Sequence, residues 1–416
     1  MCAETRVRAE RGRRLRLLVL SNLYPPYYLG GYELVCRDVT EHLRAQGHAV
    51  TVLTSYHGRP GPERDGLVWR HLTLDSRWLA WRSAFRRERQ DQAAFRAACA
   101  AARPDVIYSF SLHGVPQSLL YLAQRSGAPV VYDLSAEWLE PEFGGDPWLH
   151  FWARPAGAAG RGAAKRALRR LLDPWLPTGR QALDLRHTYF TSQHLKRVFA
   201  AKGFSVAQAS VIYRGVDLAR FVPPERRTDG RALRLLFAGR IVAEKGLHTV
   251  VEALRRLAGE AVTDLSLTVA GPTQDSAYLR QVQSSLGPLA ARVTFRGVVP
   301  WEAMPEVYAA HDVYLLPSVW EEPFSIGLLE AMAAGLAVVA TPTGGTPEAL
   351  TDGVNGLMFP PENGAALAEQ LHHLRVPELR RRLGAAARKT VEERFGLLPM
   401  FEAIEAFLQT AAEAQA

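Results

Sequence analysis

LRLLFAGRIVAEKG, residues 233–246, opens with apolar residues that can be buried on both faces and breaks at Gly239. Arg240 follows directly, Lys245 comes five residues later, and a helical pattern begins just after it. A buried strand, a loop and a helix in that order are the repeating unit of a parallel sheet covered by helices. The unit recurs downstream in LSLTVAG (265–271), RVTFRGV (292–298), DVYLLPS (312–318) and LAVVAT (336–341). Upstream, HTYFTS (187–192) and ASVIY (209–213) read as further short strands. An earlier series precedes them: LRLLVLSN (15–22), HAVTVLT (48–54), PDVIYSF (104–110) and APVVYDLS (128–135). Helical spacing from Tyr32 to Gln46 and through Leu119–Gln124 lies between these runs.

Two successive series predict an α/β chain with two doubly wound domains. The expected layout is a basic, disordered tail over 1–14 and two Rossmann-like domains, over 15–187 and over 188–395. The helix at about 396–412 is expected to pack back on the first domain. Ligands bind beyond the carboxyl ends of strands in such sheets, so the two domains are expected to face an interdomain cleft.

At 416 residues the chain has ample sequence for two or three cores. No apolar run reaches roughly 18 residues, so no membrane-spanning helix is expected. No apolar stretch precedes Leu15, which argues against a secretory leader. Cys2, Cys36 and Cys99 form no recognisable spacing; that fits a reducing, cytoplasmic setting and offers no metal site. The net charge of +8 is local: residues 1–16 contribute +4 and residues 154–172 contribute +6, leaving −2 for the remainder. No base-stacking aromatics alternate with the basic residues, so nucleic acid is not expected as a partner.

Four stretches could carry chemistry. In AGRIVAEKG (238–246), Arg240 and Lys245 can clamp a diphosphate and stabilise its growing charge, or else be an ordinary strand-end Arg and a solvated Lys. In SVWEEPFSIGLLEAMAAG (318–335), a helix starts near Ser325–Gly327. The backbone N–H groups of Ser325, Ile326, Gly327 and Leu328 suit a phosphate. Glu330 can accept both hydrogens of a ribose diol, and Glu322 can face the transferred sugar. The bland alternative makes Glu322 a loop charge and Glu330 a partner of the helix dipole. In YPPYYLGGYE (24–33), Gly30 and Gly31 allow close approach of backbone to a phosphate or sugar. In VVYDLSAEW (130–138), Asp133, Ser135 and Glu137 could reach the cleft, and His113 sits in another strand-to-helix loop. No Asp-x-Asp, no P-loop and no GxGxxG at 24–33 occurs, which argues against a carboxylate-held metal diphosphate, a P-loop kinase and a dinucleotide oxidoreductase.

Taken together, these motifs resemble family 4 of the retaining glycosyltransferases, which have the GT-B fold. The likeness runs over nearly the whole chain: NLYPPYYLGGYE, RAQGHAVTVLT, TSQHLKRVFAAKGF, VIYRGVDLARF, GRIVAEKG, EPFSIGLLE, GGTPEAL (344–350) and DGVNGLMFPP (352–361). Glu322 and Glu330 stand at the family's paired-glutamate spacing. The resemblance implies that Arg240 and Lys245 bind the diphosphate, Glu330 the ribose and Glu322 the reacting sugar. It further implies that the Gly30–Gly31 loop closes over the phosphates and that the base rests near Gly297 and Val298. Transfer would retain anomeric configuration without a metal or other cofactor, from a UDP- or GDP-type donor, the leaving diphosphate taking the acceptor proton. Two departures stand out. Ser135 occupies the place of a His that contacts the donor sugar in the family, and a Ser cannot carry positive charge. Arg214 replaces an Asn, either as a phosphate or acceptor contact or as a surface charge.

The expected activity is thus sugar transfer from a nucleotide-diphosphate sugar to a carbohydrate, lipid-linked or small-molecule acceptor. A catalytically silent GT-B protein binding a nucleotide or a partner glycosyltransferase, or a nucleotide-sugar epimerase, are the alternatives. The stretch 154–172 fits either peripheral contact with the inner face of a membrane or a solvated helix whose leucines face the core.

Overall fold

Runs of Leu, Val, Ile and Ala flanked by turn residues become strands, because both faces of each are covered. The computed structural model describes residues 13–414 except 57–60, 62, 75–80, 140–145, 154–158, 180–181 and 225–231. The first sheet contains β1 (Arg16–Leu20), β2 (Ala49–Ser55), β3 (Glu63–Asp65), β4 (Val68–Leu72), β5 (Val106–Ser109), β6 (Val130–Leu134), β7 (Thr188–Phe190) and β8 (Ser210–Val211). Their order is β3-β4-β2-β1-β5-β6-β7-β8, and only the β3–β4 pairing is antiparallel. The second sheet contains β9 (Leu233–Ala238), β10 (Leu265–Ala270), β11 (Val293–Gly297), β12 (Val313–Leu316), β13 (Ala337–Ala340) and β14 (Leu357–Met358). It is wholly parallel, in the order β11-β10-β9-β12-β13-β14.

The pleat of the second sheet sorts its side chains between two cores. Leu235, Val313, Leu315 and Val339 join one cluster, with Val250, Val251 and Leu254 of the helix Leu247–Gly259. Leu236, Tyr314, Leu316 and Val338 join the other, with Leu328, Leu329 and Met332 of the helix Ile326–Ala333.

The chain forms two compact units, each with its own sheet. The first runs to Thr191 and adds Leu195–Ile212 and the stretch from Phe401; the second takes Ser192–His194 and Tyr213–Met400. The boundary expected at 187/188 is therefore corrected. β7 pairs with β6 (Asp133 opposite Tyr189), and Phe190 packs with Leu134, Leu195 and Phe199 in the first core. Three-residue strands carry no mark of which sheet they will join, and long-range pairing decides it.

The helix Leu397–Glu413 belongs to the first unit from Phe401 onward. Phe401 stacks on His42 (ring centroids 4.7 Å apart), and Glu405 Oε1 lies 3.0 Å from His48 Nε2. Ile404 and Leu408 are fully buried. Ile404→Ala is expected to destabilise the first unit by about 3 kcal/mol, the usual cost of such a truncation. Denaturant unfolding of that unit measures it, and a loss below about 1 kcal/mol would show that the helix contributes little to the core.

Candidate active site

Among the parallel strands the order reverses between β1 and β5 in the first sheet and between β9 and β12 in the second. At such a switch point the loops leave on opposite sides and open a crevice. In the second sheet the loops after β9 and β12 carry Arg240, Lys245, Glu322 and Ser325.

The two loops touch closely. Val319 N–H donates to Glu244 O at 2.9 Å. Gly246 is left-handed (φ 70°), and a Cβ built on it would lie 1.9 Å from Pro317 O. This contact sets Lys245, one residue earlier, against Glu322: Lys245 Nζ donates to Glu322 Oε1. Ser318 Oγ donates to the same oxygen at 2.5 Å, and Lys245 Nζ stands 5.0 Å from the centre of the Trp320 ring. Glu322 is only 4% exposed. Behind it, Gly345 N–H donates to Glu322 O at 2.7 Å, and a Cβ on left-handed Gly344 would come within 2.0 Å of that oxygen. GGTPEAL is thus the backstop that fixes Glu322.

Arg240 is more open. It donates to Glu244 Oε1 at 2.8 Å and to Gln274 Oε1 at 3.2 Å. An exposed pair of this kind is weak, so an incoming phosphate can displace it at little cost. Lys245 has three donors, so it can hold Glu322 and still reach a phosphate oxygen.

Ser325 caps the helix Ile326–Ala333, its Oγ accepting from Leu328 N–H at 3.2 Å. Of the four amides expected to meet a phosphate, that of Leu328 is therefore engaged by the cap. Glu330, half-buried, accepts from Tyr308 Oη at 2.8 Å. Burial pushes its carboxyl up to about 7, against the opposing effects of the Tyr308 hydrogen bond and the Arg220 charge. Tyr308 itself is buried and was not singled out from sequence; its signal was a buried phenol needing a partner. Gly297 and Val298 lie at the carboxyl end of β11, two strands from β9, both exposed.

The remaining expected residues lie in the first unit. Gly31 starts the helix Gly31–Ala45 after β1 at that sheet's switch point, and the Gly30 N–H donates to Glu33 Oε2 at 3.1 Å. Asp133, expected to reach a ligand, is instead fully buried and accepts from Tyr189 Oη at 2.6 Å. The pairing of β6 with β7 brings that tyrosine over it, which makes Asp133 part of the interior. Ser135 follows β6 and is half-buried. Glu137 pairs with Lys202, and His113 is exposed. The surface-charge reading of Arg214 is also corrected, since it is 2% exposed. Among the described residues no group of His, Cys, Asp or Glu could hold a metal ion.

The model of Glycosyltransferase Family 4 matches residues 29–220, and that of Glycosyl transferases group 1 matches residues 232–375. The chain belongs to the family 4 glycosyltransferases. Both of its units are Rossmann-like, and the fold is GT-B. Glycogen synthase of Mycobacterium tuberculosis is 27% identical over 406 residues, 92% of this chain and 91% of that one. Spore coat protein SA of Bacillus subtilis is 29% identical over 209 residues, and there the match spans about half of each chain, 46% of this glycosyltransferase and 55% of the relative. A solved Anabaena protein, in complex with UDP and glucose, has the same fold (TM-score 0.69, 19% identity, 95% of this chain and 100% of that one).

Proposed function

We propose that this glycosyltransferase moves a sugar from a nucleotide-diphosphate donor to an acceptor hydroxyl, with retention and without a metal or other cofactor. The observation that carries the reading is the Lys245–Glu322 pair at the switch point of the second sheet. One residue type can neutralise a diphosphate, the other can accept from sugar hydroxyls, and the fold holds them together. Arg240, Lys245 and the amides of Ser325, Ile326 and Gly327 bind the two phosphates. Glu330 accepts from the ribose diol, and the base lies on Gly297 and Val298. The bond from the anomeric carbon to the phosphate oxygen breaks as the acceptor oxygen bonds to that carbon on the same face. The acceptor proton passes to the departing diphosphate, whose charge the two cations stabilise. A uridine donor is supported by the UDP-bound Anabaena relative; a guanosine donor fits the same phosphate contacts. The acceptor is a hydroxyl on a carbohydrate, a lipid-linked or a small molecule.

The test is incubation with UDP- and GDP-sugars in the presence of chelator, following nucleotide release and the anomer of the product. Release unaffected by chelator with retained configuration is expected; an inverted product would overturn the retaining assignment. Ser135 in the first unit favours a second reading, a chain that binds a nucleotide without turnover. Thermal stabilisation by UDP with no release would decide for it.

Glu330 gives this site a pH signature. As ribose acceptor it must be ionised, so donor affinity is expected to fall as pH drops through about 7. Folding responds in the opposite sense. The carboxyl binds its proton more tightly in the fold than in the open chain, so its contribution to stability is full below the ordinary carboxylate range and is lost as pH rises through about 7. Tyr308→Phe removes the bond that favours the ionised form and is expected to move the affinity midpoint to higher pH. Titrations of UDP binding across this range check both; a flat affinity profile would separate Glu330 from the ribose.

A further inference from the structure

The helix Ala159–Leu172 carries the basic stretch that sugar transfer leaves unused. A surface helix ordinarily turns its leucines inward. Here Leu172 does so, packing against the cluster of Trp148, Leu149, Trp152 and Leu176. Leu168 and Leu171 do not: they are 42% and 75% exposed, and Trp175 just beyond the helix is 76% exposed. Leu168 and Leu171 are three residues apart and so share one side, with exposed Ala164 and Ala167 completing an outward apolar stripe.

The flanks of the stripe are cationic. Arg166 and Arg170, four residues apart and exposed, run along one side. On the other, Lys165 donates to Phe151 O and Arg169 donates to Thr178 O at 3.0 Å. No acid occurs in 154–172, and the next one, Asp173, is buried against Thr178 and Arg125.

We propose that this face docks on the surface of an anionic lipid bilayer. Leu168, Leu171 and Trp175 enter the headgroup boundary, where an indole is at home, and Arg166 and Arg170 reach lipid phosphates from the flank. Charge decides against a second copy of the chain, since two such faces would bring their arginines together. The proposal is independent of the reaction assigned to the second unit.

The test is sedimentation of the full chain with vesicles of phosphatidylcholine, with and without phosphatidylglycerol. Binding is expected with the anionic vesicles only, and to decline with added salt. Leu171→Ser with Trp175→Ser, and separately Arg166→Glu with Arg170→Glu, are each expected to weaken it about tenfold or more. These side chains are exposed, so both variants should keep the parent's unfolding temperature, and the salt dependence of the parent is a measure that needs no variant. The proposal fails if the parent stays in solution with anionic vesicles at low salt, or if both variants sediment as the parent does. Lipid-free self-association abolished by Leu171→Ser would overturn it in favour of a second copy.

Discussion

Lys245→Ala is expected to lower kcat/KM by about a hundred- to a thousandfold, the usual effect of removing one charge-stabilising group from a reacting centre. A second effect follows from the fold. Glu322 is buried and shares its Oε1 with Lys245 and Ser318. Without the lysine it becomes a buried carboxylate with no cation, which typically costs about 3 kcal/mol. Lys245→Ala with Glu322→Ala should therefore recover much of the lost stability and none of the activity. Steady-state kinetics and thermal unfolding of the single and double variants check this. If Lys245→Ala transferred sugar within about threefold of the parent, its phosphate role would be wrong. If the double variant were less stable than Lys245→Ala, the unpaired Glu322 carboxylate would not be the source of the lost stability.

Gly246→Ala is the second large effect. Its left-handed backbone alone disfavours a side chain by about 1 kcal/mol. The larger obstacle is Pro317 O, 1.9 Å from the added Cβ. Atoms cannot share that space, so the loops after β9 and β12 must separate, carrying Lys245 away from Glu322. A displacement of about 1 Å at a reacting centre can cost about a hundredfold in rate. We expect a loss of that size together with a lowered unfolding temperature. Gly30→Ala is the contrast: Gly30 is extended, and a Cβ there meets nothing within 4 Å. It should fold as the parent does. Parent-like kinetics and stability for Gly246→Ala would mean that the loop contact does not position the pair.

Much of this molecule was readable in its sequence because parallel strands are buried on both faces. DVYLLPS and LAVVAT have no other plausible use, and both are central strands. β4 was missed because VWRHL contains Arg70, a residue that argues against burial. Arg70 is buried nonetheless, its guanidinium donating to Tyr24 O at 2.8 Å and Pro25 O at 2.5 Å. The helix Trp81–Ala102 gave too sparse an apolar pattern to announce itself. At the site, chemistry was legible from residue type and partnership was not. Lys245 and Glu322 are 77 residues apart, and only the adjacency of β9 and β12 makes them neighbours. Asp133 failed for the same reason: the tyrosine that claims it comes 56 residues later, on a strand whose sheet the sequence did not reveal.

The return of the chain at Phe401 bears on how the protein is made. The first unit is discontinuous: Phe401, Ile404 and Leu408 enter its core only after every residue of the second unit has been synthesised. A ribosome delivers residues in order, at about 5–20 per second. The second unit can therefore complete its sheet while the first still waits for its covering helix, with the His42 and His48 surface uncovered. Completion of the first unit's core thus depends on residues that are made last.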